Sequence, residues 1–232
     1  MTKRKGNRWV VRLLAALLLL VVLSGGIGWW NHIHWQPDRA NFPVQGVEIG
    51  ERDGLVDFVA IKAIGADFVY LDASTSAFSR DNAFARNFDA ARAAKLHVGA
   101  VHRFDPCQPA EKQSANFVTV VPRDQALLPP AVELAQSADD CPANVPDAAI
   151  QSELTTFLNQ IETHTGKAAI LKLSPTFERR YRIAPTIDRN LWLEGDRFQP
   201  DYGGRPWTMW TANTAFDNEA TGNALRWVVV QP

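Results

Sequence analysis

Four carboxylates in this chain stand where short apolar runs end: Glu48 in "VQGVEIG", Asp72 in "ADFVYLDAS", Glu133 in "LPPAVEL" and Glu194 in "NLWLEG". His102 closes the run "HVGAVHRF", Lys172 lies in "KAAILKLS", and Trp207 and Trp210 share "RPWTMWT". Acids grouped with indoles suit a carbohydrate ligand, because sugar faces stack on aromatic rings while carboxylates bind hydroxyls or perform acid-base chemistry. Cleaving a glycosidic bond takes two acids, one to protonate the leaving oxygen and one to serve as base, nucleophile or charge stabiliser, at carboxyl separations of roughly 5 to 9.5 Å. In "LPPAVELAQ" Glu133 supplies one carboxylate, but two residues later, where a second inward carboxylate would stand, the chain has Ala135. Two outcomes stay open at this point. Glu133 acts as the acid, its proton held by burial and by a neighbouring Glu48 or Asp72 that stays ionised; or Glu48 and Glu133 pair with Arg103 or Lys172 as structural ions in a retired site. His102, at a strand end, reads equally as an orienting hydrogen-bond partner or as a proton carrier.

The elements that hold these groups alternate. "VQGVEIG" and "ADFVYLDAS" have strand composition, and between them Val56, Val59, Ala60, Ala63 and Ile64 recur at helical spacing before Gly65 stops the turn. "NAFARNFDAARAAKL" puts Phe84, Phe88 and Ala91 on one helical face and leads into "HVGAVHRF". After "LPPAVEL" a long helix is predicted from Asp147 as N-cap to Gly166, burying Ile150, Leu154, Phe157, Leu158 and Ile161. Then come "KAAILKLS", a helix start at Ser174 and Pro175, and the runs "NLWLEG", "RPWTMWT" and "ALRWVVVQ". Eight strands alternating with helices predict an α/β fold, a small TIM-like (β/α) barrel with some helices reduced, whose chemistry sits at the carboxyl ends of the strands.

The 232 residues, 46% hydrophobic and 21% charged with a formal net charge of -1, suit one globular domain and argue against a nucleic-acid partner. The exception is the N-terminus. "WVVRLLAALLLLVVLSGGIGWW", residues 9–30, meets the requirement of about 20 apolar residues for a membrane span. Lys3, Arg4, Lys5, Arg8 and Arg12 precede or open it, which predicts a cytoplasmic N-terminus and an inner-membrane, single-pass protein with the rest of the chain on the extracytoplasmic side. A cleaved signal peptide is the competing reading, but no small-x-small site follows the apolar run. Cys107 and Cys141 are the two cysteines; on the exported side they are a disulfide candidate. The five histidines and two cysteines form no compact metal-ligand set, and no phosphate-cradling or other cofactor motif is present.

In order along the chain, several stretches resemble glycoside hydrolase family 25, the lysozyme-type muramidases that cleave peptidoglycan between N-acetylmuramic acid and N-acetylglucosamine. "GVEIGERDGLVDFVAIKAIGADFVYLDAS" is similar to the family's opening, in which a "G-x-I-D-W" turn and a helix lead to "G-x-x-F-V-I-I-K-A-T-E-G". "DNAFARNFDAARAAKLHVGAVHRF" resembles "D-x-x-F-x-x-N-x-x-x-A-x-x-A-G-L-x-x-G-A-Y-H-F", and "KQSANFVTVV" continues with the family's "Q-A-x-x-F" helix. "LPPAVELA" resembles "L-P-P-V-L-D-I-E", "TGKAAILKLSPTF" the "T-G-K-x-P-I-I-Y" strand, and "LWLEG" with "RPWTMW" the late "L-W-I-A-x-Y" and "W-T-x-W-Q-Y". The departures cluster at the chemistry. The family's first-strand Asp falls on Glu48, its "K-A-T-E-G" acid on Thr75 with Asp72 in place of the Lys, the Gln of "W-Q-Y" on Thr211, and the "D-I-E" pair on Glu133 and Ala135. The second member of that pair is the family's proton donor, and the loss of a general acid costs on the order of 100- to 10,000-fold in rate.

The resemblance implies Glu133, Glu48 and Asp72 as catalytic candidates and His102, Trp210 and Glu194 as substrate-binding ones, Trp210 because it matches the late tryptophan motif. The expected organisation is a basic stub and transmembrane anchor over residues 1–30, a linker over 31–43 and the barrel over 44–232. The expected function is that of a membrane-anchored, peptidoglycan hydrolase-like protein; the alternative is a catalytically inactive glycan-binding or scaffold protein.

Overall fold

The computed structural model describes residues 8–232; Lys3, Arg4 and Lys5, on which the predicted orientation rests, lie outside the described residues. Two compact units divide the chain, one ending at Trp35 and one beginning at Gln36. The first is a helix, α1 (Arg8–Ile33), of 26 residues. It has no polar face, and at 1.5 Å per residue it rises about 39 Å, more than the roughly 30 Å of a bilayer's hydrocarbon core.

The second unit is a closed barrel. Its strands are β1 (Gln45–Ile49), β2 (Phe68–Thr75), β4 (His97–Arg103), β5 (Ala131–Leu134), β6 (Ile170–Leu173), β7 (Asn190–Glu194), β8 (Met209–Phe216) and β9 (Leu225–Val230), hydrogen-bonded in the order β1-β2-β4-β5-β6-β7-β8-β9 and back to β1. Neighbours from β1 through β8 run parallel, whereas β9 is antiparallel to both β8 and β1 and so closes the ring. A two-residue strand, β3 (Ser79–Arg80), which the sequence reading did not contain, folds back on the end of β2. Helices α2 (Phe58–Ala63), α3 (Phe84–Ala93), α4 (Ala110–Val120), α5 (Asp147–Thr165) and α6 (Pro175–Tyr181) follow the early strands; loops replace them after β7 and β8.

Local chemistry sets the helix bounds, with two corrections to expectation. Asp57 caps α2 by accepting from the Val59 and Ala60 amides, so the helix starts after Val56, and its buried side chains are Phe58 and Ile61 while Val59 is exposed. Pro146, fixed in an extended conformation, takes the N-cap of α5, and Asp147 stands in the first turn, where its charge suits the helix dipole. Gly166 ends α5 in the left-handed region (φ 70°), and Ile150, Leu154, Phe157, Leu158 and Ile161 are all buried, each contributing about 1.5–3 kcal/mol.

Inside the barrel, Phe68, Tyr70, Val101, Ala131, Ile170, Trp192, Met209 and Val228 form one apolar cluster. Tyr70 meets Trp192 edge to face at 5.1 Å and fills the space beside Gly99, where an added Cβ would stand 2.3 Å from its ring. Because side chains alternate along a strand, the residues two further toward the carboxyl ends face the same interior. Those residues are Asp72, Arg103, Glu133, Lys172, Glu194 and Thr211, joined by Glu48 from β1 and Arg226 from the antiparallel β9. The apolar cluster is thus a floor, and the layer above it is almost entirely charged.

Candidate active site

Lys172 is the centre of that layer. Its ammonium donates to both oxygens of Glu48 at 2.7 Å and to Glu133 Oε1 at 3.2 Å, and lies 3.6 Å from Glu194 Oε1. Its side chain is buried, and although burial disfavours the charge, the carboxylates of Glu48, Glu133 and Glu194 hold its pKa above the ordinary lysine value. The ammonium also stands 5.2 Å from the centre of the Trp192 ring, whose Nε1 donates to Thr211 Oγ1 at 2.8 Å. On the other flank Arg103 Nε donates to Glu133 Oε2 at 2.6 Å, so each oxygen of Glu133 accepts from a different cation. Both oxygens of Glu133 are thus committed to charge-assisted bonds within the protein.

Arg226 completes the network from β9, directly beside Glu48. Its Nη2 donates to the Glu48 carbonyl and to Asp53 Oδ2, both at 3.2 Å, and its Nε is 3.5 Å from Glu48 Oε2. Asp53 in turn accepts from the Gly50 amide at 2.7 Å. Sequence reasoning missed both residues. The usable signal was a single charge, Arg226, inside the apolar run "LRWVVV", where only a partnered cation is tolerated.

Asp72 differs from the other acids. Its Oδ1 is buried and has no hydrogen-bond partner, and its Oδ2 lies against Gly50, where an added Cβ would come within 2.3 Å. Burial first, and then the neighbouring Glu48 charge, raise its pKa to about 7 against the pull of Lys172. With Arg103, Ser74, Thr75 and Arg80 it lines a cleft of about 380 Å³ that opens beside β2 and β3. Glu194, also raised chiefly by burial, is oriented through its backbone, whose amide donates to the Tyr202 hydroxyl at 2.8 Å while that hydroxyl donates to the Leu173 carbonyl.

The remaining candidates sit elsewhere. His102 alternates with Val101 and Arg103 and points out of the barrel into the helix layer, where it is wholly buried against Phe157, ring centres 4.6 Å apart. The Gln113 side-chain amide donates to the Asp105 and Gln108 carbonyls, which leaves its oxygen to accept from His102 Nε2 at 3.2 Å and His102 Nδ1 to accept from Ser74 Oγ at 2.8 Å. Burial lowers its pKa to about 4, so the ring is neutral and structural. Trp210 is 2% exposed, packs edge-on to Phe42 and Trp207, and donates from Nε1 to the Gly195 carbonyl at 2.5 Å. Of the expected substrate-binding residues, His102 and Trp210 are thus enclosed by packed side chains in this structure. Cys107, after β4, and Cys141, after β5, are joined in a disulfide that ties the two loops next to Glu133. Among the described residues no group of His, Cys, Asp and Glu side chains is arranged to hold a metal ion.

The family model for glycosyl hydrolases family 25 matches residues 47–216. Among solved structures, a family 25 glycosyl hydrolase from Bacillus anthracis has a similar fold (TM-score 0.76, 23% identity, covering 86% of this chain and 93% of that one). So do a bacterial lysozyme from Streptomyces coelicolor (TM-score 0.72, 16% identity, 82% and 92%) and a family 25 lysozyme from Aspergillus fumigatus (TM-score 0.68, 20% identity, 82% and 94%). No curated protein matches the chain.

Proposed function

The chain belongs to glycosyl hydrolases family 25, and from that premise we propose that it is a membrane-anchored, envelope-facing protein that holds a peptidoglycan strand without cutting it by the family's route. The observation that carries this reading is Lys172, whose ammonium is bound by Glu48 and Glu133 in the place where two acids would have to act on a sugar. Ala135 stands exposed just past the end of β5 and supplies no proton donor. Peptidoglycan as the ligand class comes from the similar folds, which are lysozymes and include a spore cortex lytic enzyme. The cleft beside Asp72, lined by arginines, hydroxyls and carboxylates, suits hydroxyl- and amide-bearing sugars. In this reading residues 1–30 are the cytoplasmic stub and anchor, 31–43 the linker and 44–232 the glycan-facing barrel, with α1 crossing the inner membrane once.

One observation favours a second reading, a rebuilt hydrolase. Asp72, with a pKa of about 7 and an unpartnered oxygen in the cleft, keeps a proton near neutrality, as a general acid must. The deciding experiment incubates the full-length chain in detergent with purified peptidoglycan and follows turbidity, muropeptide release and co-sedimentation, beside Glu133→Gln and Asp72→Asn. The expected result is co-sedimentation with no release. Release that disappears in Asp72→Asn would establish the second reading instead.

A further inference from the structure

A cavity of about 590 Å³, larger than the cleft beside Asp72, opens between α6 and the loop that precedes β8. Pro175, Pro185 and the Tyr202 ring give it apolar walls, and Arg179, Arg182 and Arg205 bring three guanidinium groups to it. Arg205 is fixed: its Nε donates to the Ala184 carbonyl at 2.9 Å and its Nη2 to the carbonyls of Ile187 and Arg189, leaving Nη1 outside those bonds. Arg179 and Arg182 are exposed and, among the described residues, their side chains make no hydrogen bond or salt bridge. Their neighbour in "ERRYR", Arg180, is by contrast paired with Asp147 at 2.8 Å.

The one acid in the cavity wall is already engaged. Glu178 is 7% exposed, and its Oε2 accepts from the Ile183 and Ala184 amides at 2.9 and 3.0 Å. Those bonds close the turn in which Arg182, left-handed at φ 51°, caps the end of α6. Three arginines against one committed carboxylate leave the cavity positive, and the planar guanidinium fork matches a carboxylate. The apolar walls add a condition: the anion must be carried on a small apolar body.

We propose that this cavity is a second ligand site, which binds a carboxylate on a compact apolar body, as at the free C-terminus of a short peptide. Arg179 and Arg182 take the carboxylate, Arg205 supplies a fixed charge behind it, and the two prolines with Tyr202 take the small side chain. Tyr202 also ties the cavity wall to β6 and β7 through Leu173 and Glu194, while none of the acids of the charged layer lines the cavity. The proposal does not depend on whether the cleft beside Asp72 binds glycan.

Calorimetric titration of the full-length chain in detergent with N-acetyl-Ala-Ala, with its C-terminal amide and with inorganic phosphate tests it. The free acid should bind saturably, with the amide and phosphate each weaker by about tenfold or more. The double variant Arg179→Gln, Arg182→Asn should weaken the free acid by about tenfold, while Arg180→Gln leaves it unchanged. Asn tolerates the left-handed conformation at position 182, and co-sedimentation with peptidoglycan reports separately on the glycan reading. Equal binding of acid and amide, phosphate binding as tightly as the peptide, or full affinity in the double variant would each overturn the proposal.

Discussion

The ammonium of Lys172 and the carboxylate of Glu48 meet across the full width of the barrel. β1 and β6 lie four strands apart on either way round the ring of eight, and the two side chains, 2% and 0% exposed, bridge the interior with two bonds of 2.7 Å. Removing two charges from water costs several kcal/mol per ion, a cost offset only when geometry is good and the remaining donors and acceptors are filled. The three protons of Lys172 are filled by Glu48 and Glu133, with Glu194 3.6 Å away, whereas Arg226 approaches Glu48 from β9 only as an ion pair at 3.5 Å and keeps Nε and Nη1 buried without a hydrogen-bond partner. The pair therefore closes the end of the barrel at which a hydrolase of this fold would admit its substrate.

Removing Lys172 should be much more costly than removing Glu48. Lys172→Met leaves Glu48 and Glu133 facing each other with the ammonium gone, and the expected loss is about 3–5 kcal/mol. Glu48→Gln leaves Lys172 with Glu133 and Glu194 as partners and should cost less. In the double variant Glu48→Gln, Lys172→Met, the loss should be smaller than the sum of the two single losses. Denaturant unfolding of all four chains measures it; strictly additive losses would mean that the two side chains do not act as a pair.

If the ammonium and the missing acid together silence the site, restoring one without the other should do little. Ala135→Glu alone returns a carboxylate just past β5 but leaves Glu133 tied to Lys172 and Arg103. Ala135→Glu combined with Lys172→Tyr, the residue type the family carries in that strand, frees Glu133 as well. Muropeptide release from peptidoglycan should rise in the double variant by on the order of 100-fold over either single variant, the scale of a general acid.

Much of this was legible in the sequence, and the misses share a cause. The eight barrel strands, the buried face of α5 and the Ser174 cap followed by Pro175 could be read locally, because each is set by apolar spacing or by one capping side chain. The carboxyl-end acids could be placed for the same reason: strand alternation puts Glu48, Asp72, Glu133 and Glu194 in one layer. What could not be read was partnership. Arg226 and Lys172 reach Glu48 over 178 and 124 residues of chain, and only the closed ring brings them together. The enclosure of Trp210 and His102 was not legible either, because strand alternation gives a side, inside or outside, but not whether a helix or loop covers it. Val59 shares the helical spacing of Val56 and Ala63 and is nonetheless exposed, because α2 starts only at Phe58, after the Asp57 cap, and turns Phe58 and Ile61 inward.

The Cys107–Cys141 bridge should carry a measurable share of stability. It closes a sequence separation of 34 residues, for which the chain-entropy account gives about 4 kcal/mol and experience with such bridges about 2–4 kcal/mol. Cys107→Ala with Cys141→Ala, or reduction of the wild-type chain, should lower the denaturant midpoint accordingly. An unchanged midpoint would show that the loops after β4 and β5 are held by their other contacts, among them the Asp105 backbone amide bonded to Gln113.

Asp72 gives the molecule a pH dependence whose sign is fixed by its surroundings. In the folded chain the carboxyl keeps its proton up to about pH 7, because burial and the Glu48 charge outweigh Lys172; in the unfolded chain it ionises near pH 3.9, as model carboxyls do. Between those values the folded state binds more protons than the unfolded one, so stability falls as pH rises. The contribution is complete below about pH 4 and is lost once pH passes the folded value of about 7. Asp72→Asn cannot ionise. Its stability relative to wild type should therefore climb across that window, by on the order of 1 kcal/mol or more, and run level on either side. Taking the difference between variant and wild type cancels the titration of the other carboxylates and of His102, provided that the Glu48–Lys172 pair stays intact in both. Denaturant unfolding of both chains at half-unit steps from pH 4 to 8 makes the comparison, and parallel curves would show that Asp72 is ionised in the folded barrel, which would remove the rebuilt-hydrolase reading along with the prediction.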